Sequence, residues 1–220
     1  MLKRQKIWLF QQNTGQVSPF IDFNGDVIQN VTGYKFLGCL FKSNGNLRHN
    51  LEELAKKARK VLFSLREKTS SLGILPISVS INLFDKLVRH SLTYNSEISF
   101  MDYFLVYHRE KKRAILRNGN MDHFTFIDIT PFEKVHLIFC KNLLGTKKTS
   151  SNIGVKAELG RFPVENFINS QAILCLARLH ADNLNPLLKE TFEPSKSLDS
   201  QGVYSWYTYV KKTLNQPAFK

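Results

Sequence analysis

The chain has few cysteines and no long apolar run, and both absences limit what it can be. Its 220 residues include three cysteines, at positions 39, 140 and 175, with no Cys-x-x-Cys spacing. This pattern provides no disulfide framework and no zinc knuckle, and it predicts reduced thiols in an intracellular protein. No apolar run reaches the roughly 18 to 20 residues of a membrane span. The opening segment, MLKRQKIWLFQQ, has too short an apolar centre for a signal peptide. The sequence therefore predicts a cytoplasmic or nuclear protein without a membrane partner.

Acidic residues are also scarce relative to basic ones. The chain has 31 lysines and arginines against 18 aspartates and glutamates, which gives a net charge of +13. A surplus of this size favours nucleic acid as the partner over an anionic membrane. The only adjacent acids, Glu52 and Glu53, precede Lys56 and Lys57 at helical spacing, so ion pairing explains them better than two-metal catalysis. The hydrophobic fraction of 43%, with 17 phenylalanines, is enough to build a core.

Strand signals fill the first forty or so residues. Lys6–Phe10 is a short apolar run, and Phe20–Phe23 meets Val27–Ile28 across Asn24-Gly25, the preferred dipeptide of a type I′ hairpin turn. One further strand is predicted through an alternating set: Val31, Tyr34, Phe36, Cys39 and Phe41. So few short strands make a poor sheet alone, and we expect them to belong to the edge of something larger.

From Asn46 onward the apolar period becomes helical. Asn46 is a suitable N-cap for a long helix and Gly73 a suitable stop. The apolar face recurs at steps of three and four: Leu47, Leu51, Leu54, Ala58, Val61, Leu62 and Leu65. The opposite face is basic: Lys56, Lys57, Arg59, Lys60 and Arg66, with Lys68 just beyond. A second helix is predicted after Pro76, and its apolar face comprises Ile81, Phe84, Val88 and Leu92.

The C-terminal half also reads as helices. Thr130–Glu133 has the form of a capping box, which predicts a helix over Pro131–Leu144 ended by Gly145. Ile153–Leu159 reads as a short helix that Gly160 closes. Another helix is predicted from Pro163, with these residues towards a core: Val164, Phe167, Ile168, Ala172, Cys175 and Leu179. A last apolar stripe consists of Val203, Trp206, Tyr207, Val210 and Leu214.

Other stretches have weak or loop-like patterns. Between Phe100 and Thr130 an aromatic cluster leads into the basic run Arg109–Arg113 and then a turn rich in glycine and asparagine. Ser195–Ser200 is predicted to be a loop. The runs at Arg109–Arg113 and Lys147–Lys148 are interpreted as solvated loops rather than as binding sites.

Several chemically suggestive residues have simpler structural interpretations. His136 and Cys140 stand four residues apart on a predicted helix, a spacing compatible with metal, but a second ligand pair is missing and buried cysteine is common. Trp8 and Trp206, with the tyrosines near Trp206, are interpreted as core residues rather than as platforms for bases. No arrangement of Ser, His and Asp can be assigned, so no catalytic residue and no metal ligand is predicted.

An ordered set of segments resembles the C-terminal part of a LINE-type (non-LTR) retrotransposon reverse transcriptase, an RNA-directed DNA polymerase. Lys3–Phe10 is similar to the Lys-Thr-Lys block that follows the active site, with Gln5 in place of Thr. Tyr34–Gly38 resembles the primer-grip strand with its tight Leu-Gly hairpin, and Lys42–Leu65 resembles the first thumb helix. Leu87–Ile98 is similar to the thumb segment that ends in Tyr-Gly-Ser-Glu.

The chain departs from that thumb segment at three positions. His90 replaces a usual Pro, Asn95 a usual Gly and Ser99 a common Trp. The closest agreement lies further on, in the post-thumb region: Glu133–His136, Phe139–Lys141, Leu143–Gly145 and Glu158–Arg161. The family assigns no chemistry to that block, so the resemblance there marks descent rather than a reaction.

The resemblance implies a fragment that holds a primer and template without polymerising by itself. The family's reaction needs a carboxylate pair that binds two Mg²⁺ ions, in a motif of aromatic, any residue, Asp, Asp, and the chain contains no such motif. The Mg²⁺ would be bound by a palm upstream, and no cofactor is expected in this chain. The residues expected to bind RNA/DNA hybrid or duplex are Tyr34, Lys35, Leu37, Gly38, Lys42, Lys56, Lys57, Arg59 and Lys60.

The predicted fold class is α+β, mostly α. Residues 1–42 are expected to form a β-hairpin remnant of the palm, residues 43–125 a helical thumb, and residues 126–220 a helical post-thumb subdomain. Two alternatives remain beside a truncated reverse transcriptase. One is a basic helical module that grips nucleic acid nonspecifically through phosphates. The other is a pseudogene product, which would aggregate through unpaired strand edges.

Overall fold

The structure, a computed structural model, describes residues 22–23, 26–27, 31–43, 45–106, 127–128, 130–181 and 186–215. Helices predominate among them, and short antiparallel strands lie near the N-terminus. The predicted class, α+β and mostly α, is confirmed. The chain divides into two compact units, Met1–Asn50 and Leu51–Lys220. The predicted division into residues 1–42, 43–125 and 126–220 stays a prediction.

The first unit contains two pairs of antiparallel strands. Strand β1 (Asp22–Phe23) pairs with β2 (Asp26–Val27), as the Asn-Gly dipeptide predicts. Strand β3 (Gly33–Phe36) pairs with β4 (Cys39–Lys42). The single strand predicted through residues 31–41 is therefore wrong, because the chain reverses in its middle. The predicted run at Lys6–Phe10 lies outside the described residues.

The reversal between β3 and β4 is a two-residue turn. Phe36 pairs with Cys39, which leaves Leu37 and Gly38 as the connection. Both have positive φ, 46° for Leu37 and 85° for Gly38, as a type I′ turn requires. Glycine adopts this region freely, whereas the Cβ of a leucine makes it unfavourable by roughly 1–2 kcal/mol. The tight Leu-Gly hairpin predicted from the sequence is present, and its first turn residue is strained.

Helix α1 (Arg48–Ser70) is the long helix predicted after Asn46. The Asn46 side chain accepts a hydrogen bond from the backbone N–H of Arg48 at 2.9 Å, so it caps the first turn. One apolar face is buried: Leu51, Leu54, Ala55, Ala58 and Leu62. Gly73, with φ of 75°, lies three residues beyond the end of the helix, in the connection to α2.

The second predicted helix contains a π-helical turn. The segment comprises α2 (Ile77–Leu83), the π-helix Phe84–Arg89 and α3 (His90–Thr93). Phe84, Val88 and Leu92 are fully buried, as predicted. Residues four apart drift by about 40° on a regular α-helix. A π turn, with its i→i+5 hydrogen bonds, rotates less per residue and so reduces this drift. The wider turn helps these three side chains to face one core.

Two short helical segments follow α3, and a left-handed residue connects α3 to the first of them. Asn95, with φ of 52°, separates α3 from α4 (Ser96–Ser99), and residues 101–106 are also helical. Phe100, Tyr103 and Phe104 are buried, which assigns the predicted aromatic cluster to the core. The basic run at 109–113 lies outside the described residues.

Helix α5 (Pro131–Leu143) has the predicted start and ends one residue before the predicted Leu144, but its predicted cap is wrong. The Thr130 hydroxyl donates to the Ile127 carbonyl at 2.6 Å and does not cap the helix. Pro131 occupies the first turn, and Gly145, with φ of 63°, follows the last. The N–H groups of Gly145 and Thr146 bond back to the carbonyls of Asn142 and Lys141, a Schellman motif.

The remaining helices are α6 (Asn152–Glu158), α7 (Val164–Leu179), α8 (Pro186–Ser200) and α9 (Trp206–Leu214). The loop predicted for residues 195–200 is wrong because these residues continue α8, with Pro194 inside the helix. Helix α9 has a capping box between Ser205 and Thr208. It packs against α7 and α8, and α7 also packs against α4 and α5.

The core of the second unit is largely aromatic. Phe84 stacks on Phe139 with ring centroids 4.2 Å apart, and Phe100 meets Phe132 edge-on at 5.2 Å. Tyr209 is fully buried and its hydroxyl donates to the Asn169 side chain at 2.6 Å. Each such side chain contributes about 1.5–3 kcal/mol by leaving water. Trp206 is half-buried, and its indole N–H donates to the Glu97 carbonyl at 2.9 Å, which supports the core interpretation of these aromatics. Trp8 lies outside the described residues.

Candidate nucleic-acid interface

The outer face of α1 carries a cationic surface. Lys56, Lys57, Arg59 and Lys60 are all exposed. They follow from the helical period, because the leucines of the same helix occupy the opposite side and leave these positions to water. Arg66 and Lys68 extend the exposed cations towards the C-terminal end of the helix. These six residues form the α1 cationic surface.

The members of the α1 cationic surface differ in their partners. Lys56 pairs with Glu53 at 2.7 Å, and the hydrogen bond and charge of that carboxylate raise the pKa of Lys56. Both side chains are mainly in water, with 70% and 47% of their areas exposed, so the pair contributes little stability. Within the part of the chain that the structure describes, Arg59 and Lys60 make no ion pair.

The length of α1 suits a polyanion. At about 1.5 Å per residue, the rise from Lys56 to Lys68 is roughly 18 Å. Along that length one strand of a duplex presents several phosphates, at about 3.4 Å of helix axis each. Hydrated lysines and arginines on a helix can neutralise phosphates without reading bases. The arrangement therefore offers a sequence-independent contact.

The hairpin residues predicted to bind nucleic acid alternate between two faces. In the register Lys35↔Leu40 and Gly33↔Lys42, the two lysines share one face of the hairpin. Lys35 is exposed and Lys42 half-buried. Tyr34 lies on the other face opposite Phe41, and Leu37 at the turn is 75% exposed. Gly38 completes the turn. These residues belong to the first compact unit.

The four cations Lys56, Lys57, Arg59 and Lys60 belong to the second unit, Leu51–Lys220. The structure therefore brings together the four cations of α1, and it places Lys35 and Lys42 on one face of the hairpin with Tyr34 on the other. A single site composed of both groups stays a prediction.

A second charged cluster is buried rather than exposed. Glu133 is fully buried, and its Oε1 accepts from His136 Nδ1 at 3.1 Å and from Lys156 Nζ at 3.4 Å. Its Oε2 accepts from the backbone N–H of Val164 at 2.8 Å. This carboxylate therefore caps the start of α7 from a different helix. Lys156 also donates to Asp128 at 2.8 Å. Burial opposes ionisation of Glu133, but these donors outweigh it and lower the pKa of its carboxyl.

The same cluster continues through a bidentate ion pair. Arg161 NH1 and NH2 donate to the two oxygens of Asp85 at 2.8 and 2.5 Å. Arg161 Nε also points at His136 Nε2 at 3.5 Å, an arrangement that requires the proton on Nδ1, where Glu133 accepts it. Burial would raise the pKa of Asp85, but hydrogen bonds and charge from Arg161 outweigh it and lower that pKa.

The buried cluster is suited to holding helices together rather than to chemistry. Cys140 lies on the same helix, and burial raises the pKa of its thiol to about 12, so it is a poor nucleophile. The described residues contain no group of three metal-ligating side chains, and none of their helices is both long and apolar enough to cross a membrane.

This cluster is missed from the sequence, which places Glu133 in a capping box and Arg161 only in the family block. The available signal was chemical: Lys156 stands between the apolar residues Val155 and Ala157 on a helix, and Arg161 directly follows a helix-ending glycine. Their acidic partners are too distant in sequence to be identified by spacing.

Comparison with protein-family models, with curated proteins and with solved structures finds no match.

Proposed function

We propose that the chain binds RNA/DNA hybrid or duplex through backbone phosphates, with the α1 cationic surface as the principal contact. The observation that carries the proposal is the exposure of Arg59 and Lys60, without ion pairs in the described part of the chain, on a protein of net charge +13. A cation without an acidic neighbour has no competitor for a phosphate.

The same helix explains why the contact would be independent of sequence. Lysine and arginine held on one exposed helix face meet phosphates, which are identical along the strand. Binding of this kind releases counterions, so its affinity falls as salt rises. The log of the binding constant changes by roughly −0.9 per phosphate for each log unit of salt.

We further propose that this function descends from a LINE-type reverse transcriptase. Two backbone features support the proposal. The Leu37-Gly38 turn has the tight geometry expected of the primer-grip hairpin. Asn95 adopts the left-handed conformation, with φ of 52°, at the position where the family usually has glycine. Asparagine is among the few residues that tolerate this region, so the substitution preserves the turn.

The proposal assigns binding, not polymerisation, to these 220 residues. The carboxylate pair that would hold Mg²⁺ is absent from the sequence. In primer-extension assays with Mg²⁺ and deoxynucleotides, we expect no product from the chain alone. Any template-dependent product would contradict this part of the proposal.

A salt titration tests the proposed contact. Fluorescence anisotropy would follow binding to a labelled hybrid as salt increases, for the native chain and for the variant K56Q/K57Q/R59Q/K60Q. We expect the variant to bind more weakly and its slope to be less negative by roughly two to four units. A matched control removes four exposed cations from other helices and loops: Lys134, Lys147, Arg178 and Lys189. Equal losses in both variants would show that net charge, and not α1, determines binding.

A further inference from the structure

A pocket of about 250 Å³ opens beside the first turn of α7. Its charged and aromatic lining comes from three segments: Arg89 of the π-helix, His136 of α5, and Arg161, Phe162 and Phe167 in and before α7. The buried cluster forms its inner wall, so the geometry of that wall is fixed by paired side chains.

The lining is positive. It includes two guanidinium groups and no carboxylate. Asp85 lies behind the wall and is shared, because it pairs with Arg161 and also with Arg89 at 3.3 Å. Glu133 and Asp128 are engaged by Lys156 on the inner side. The two guanidiniums thus lie towards the pocket, whereas the carboxylates of the cluster lie on its inner side, so the groups that meet a ligand are positive.

Arg89 has hydrogen-bonding capacity to spare. Its side chain is 29% exposed, and the guanidinium lies 4.6 Å from the centroid of the Phe167 ring. The contact with Asp85 at 3.3 Å is an ion pair, and within the described residues Arg89 donates no side-chain hydrogen bond. A guanidinium has five N–H donors in a planar fork that fits phosphate.

The other polar groups of the wall are already occupied. The first N–H of α7 bonds to Glu133, so the helix terminus is not the source of the site. Both nitrogens of His136 have partners, Glu133 and Arg161. The capacity of the pocket therefore resides in the two arginines and in the aromatic rings at its rim.

Phe162 supplies an aromatic surface that the fold does not use. It is 76% exposed although it directly follows Arg161, and it lines the pocket. The volume lies below the roughly 300–1,000 Å³ typical of sites that enclose a whole drug-sized ligand. A ligand that combines a planar base with a phosphate, and remains partly outside, fits this combination of ring, guanidinium and size.

We propose that this pocket binds one unpaired nucleotide of a nucleic acid, with its phosphate at Arg89 and Arg161 and its base against Phe162. The inference rests on the proposed function, because it makes the pocket a second contact for a nucleic acid already held by α1. It differs from that function in requiring a single-stranded residue, since both faces of a base inside a duplex are already stacked on its neighbours.

Two labelled ligands test the proposal, a blunt hybrid and the same hybrid with a short single-stranded overhang. The native chain is expected to bind the overhang about fivefold or more tightly, the lower end of what one base on an aromatic ring contributes. F162A and R89Q are expected to bring the ratio close to one while affinity for the blunt hybrid stays within about twofold. F162A alters an exposed side chain, so its folding is not at risk. I153A and R178Q, which alter exposed residues outside the pocket, serve as controls and should keep the ratio.

The possible results separate the two proposals. An unchanged ratio in both pocket variants, together with normal binding to the blunt hybrid, would overturn the pocket alone. An absence of binding to either ligand by the native chain would overturn both proposals. If a free mononucleotide displaced the overhang ligand at a concentration as low as that of the ligand itself, the pocket would be a site for a small molecule. That result also contradicts the proposal.

Discussion

Two groups of cations in the second unit have opposite surroundings. On α1, Arg59 and Lys60 lie in water without ion pairs in the described part of the chain. In the buried cluster, the Nζ of Lys156 lies 2.8 Å from an oxygen of Asp128, and a guanidinium nitrogen of Arg161 lies 2.5 Å from an oxygen of Asp85. A buried cation needs its partner, because removal from water costs several kcal/mol that only pairing and hydrogen bonds offset. A hydrated cation needs none and stays available to a phosphate.

The difference assigns separate roles to residues of one type. The buried cluster connects the π-helix, α5, α6 and the start of α7, so its charges specify how helices meet. The cations of α1 contribute little to the fold and can serve a partner. Substitutions in the first group should change stability, and those in the second should change binding.

The largest effect is expected from Glu133→Ala. The change removes the acceptor of the Val164 N–H, of His136 and of Lys156 at once. Removing one member of a buried ion pair typically costs about 3–5 kcal/mol, because the remaining charge is left without compensation. Urea denaturation followed by circular dichroism would measure the loss. Glu158→Ala, at an exposed position on α6, is the control. A cost below about 1 kcal/mol would show that the cluster does not hold the helices.

A smaller loss is expected from Asp85→Asn. The amide can still accept one hydrogen bond from Arg161, but it loses the charge and the bidentate geometry. We expect a cost of about 2–3 kcal/mol in the same denaturation experiment. Because Arg161 also contacts His136, the variant should perturb the histidine resonances in NMR spectra, while a stable protein with unchanged resonances would contradict the role assigned to the pair.

Acid should selectively weaken the buried cluster. The folded-state pKa values of Glu133 and Asp85 lie below their ordinary values of 4.5 and 3.8. Their contribution to stability is therefore complete above those ordinary values and is lost as pH falls through the lower folded-state values. Urea midpoints measured from about pH 6 down to pH 2 should fall more steeply for the native chain than for Glu133→Ala. Parallel curves would exclude Glu133 as a source of the acid sensitivity.

A modest gain is expected from Leu37→Asn. The substitution creates Asn-Gly, the preferred type I′ dipeptide, where leucine now occupies the left-handed region with φ of 46°. Relief of this strain should stabilise the hairpin by about 0.5–1 kcal/mol. Amide hydrogen exchange at Phe36 and Cys39, the residues that flank the turn, would report greater protection. Reduced protection would mean that the exposed leucine side chain stabilises the hairpin by more than its backbone strain costs.

The smallest effect on stability is expected from the four-glutamine variant of α1. These side chains are exposed, and the pair between Lys56 and Glu53 lies in water. Their replacement should change the free energy of unfolding by no more than about 0.5 kcal/mol. This result, together with weaker binding to nucleic acid, would show that the α1 cations serve binding, whereas Glu133 serves stability. A large destabilisation of the four-glutamine variant would contradict this division of roles.

The local parts of the fold could be predicted from the sequence, because their causes are local. The period of three and four residues predicted α1 and its exposed cations, and Gly145 predicted the end of α5. The loop at residues 195–200 failed as a prediction because serines favour turns locally, whereas these residues continue α8 and hydrogen-bond to the first turn of α9 through Ser195 and Asp199.

The buried cluster could not be predicted, because its pairs are set by tertiary structure. Arg161 and Asp85 are 76 residues apart, and Glu133 and Val164 are 31 apart. No periodic pattern connects such positions. The capping-box interpretation of Glu133 illustrates the limit, since the side chain does cap a helix, but the helix is α7 rather than its own.

The π-helical turn at Phe84–Arg89 accommodates one residue more than an ordinary α turn would over the same rotation. Loss of one codon there, for example that of the exposed Leu87, would convert the π turn to an ordinary α turn and leave the later side chains of the segment on nearly the same face as before. Leu92 would then still share the core face of Phe84. Loss of one codon from a regular helix such as α1 would instead rotate every later side chain by about 100° relative to those before it. The segment with the π turn should therefore tolerate the loss of a single residue better than α1.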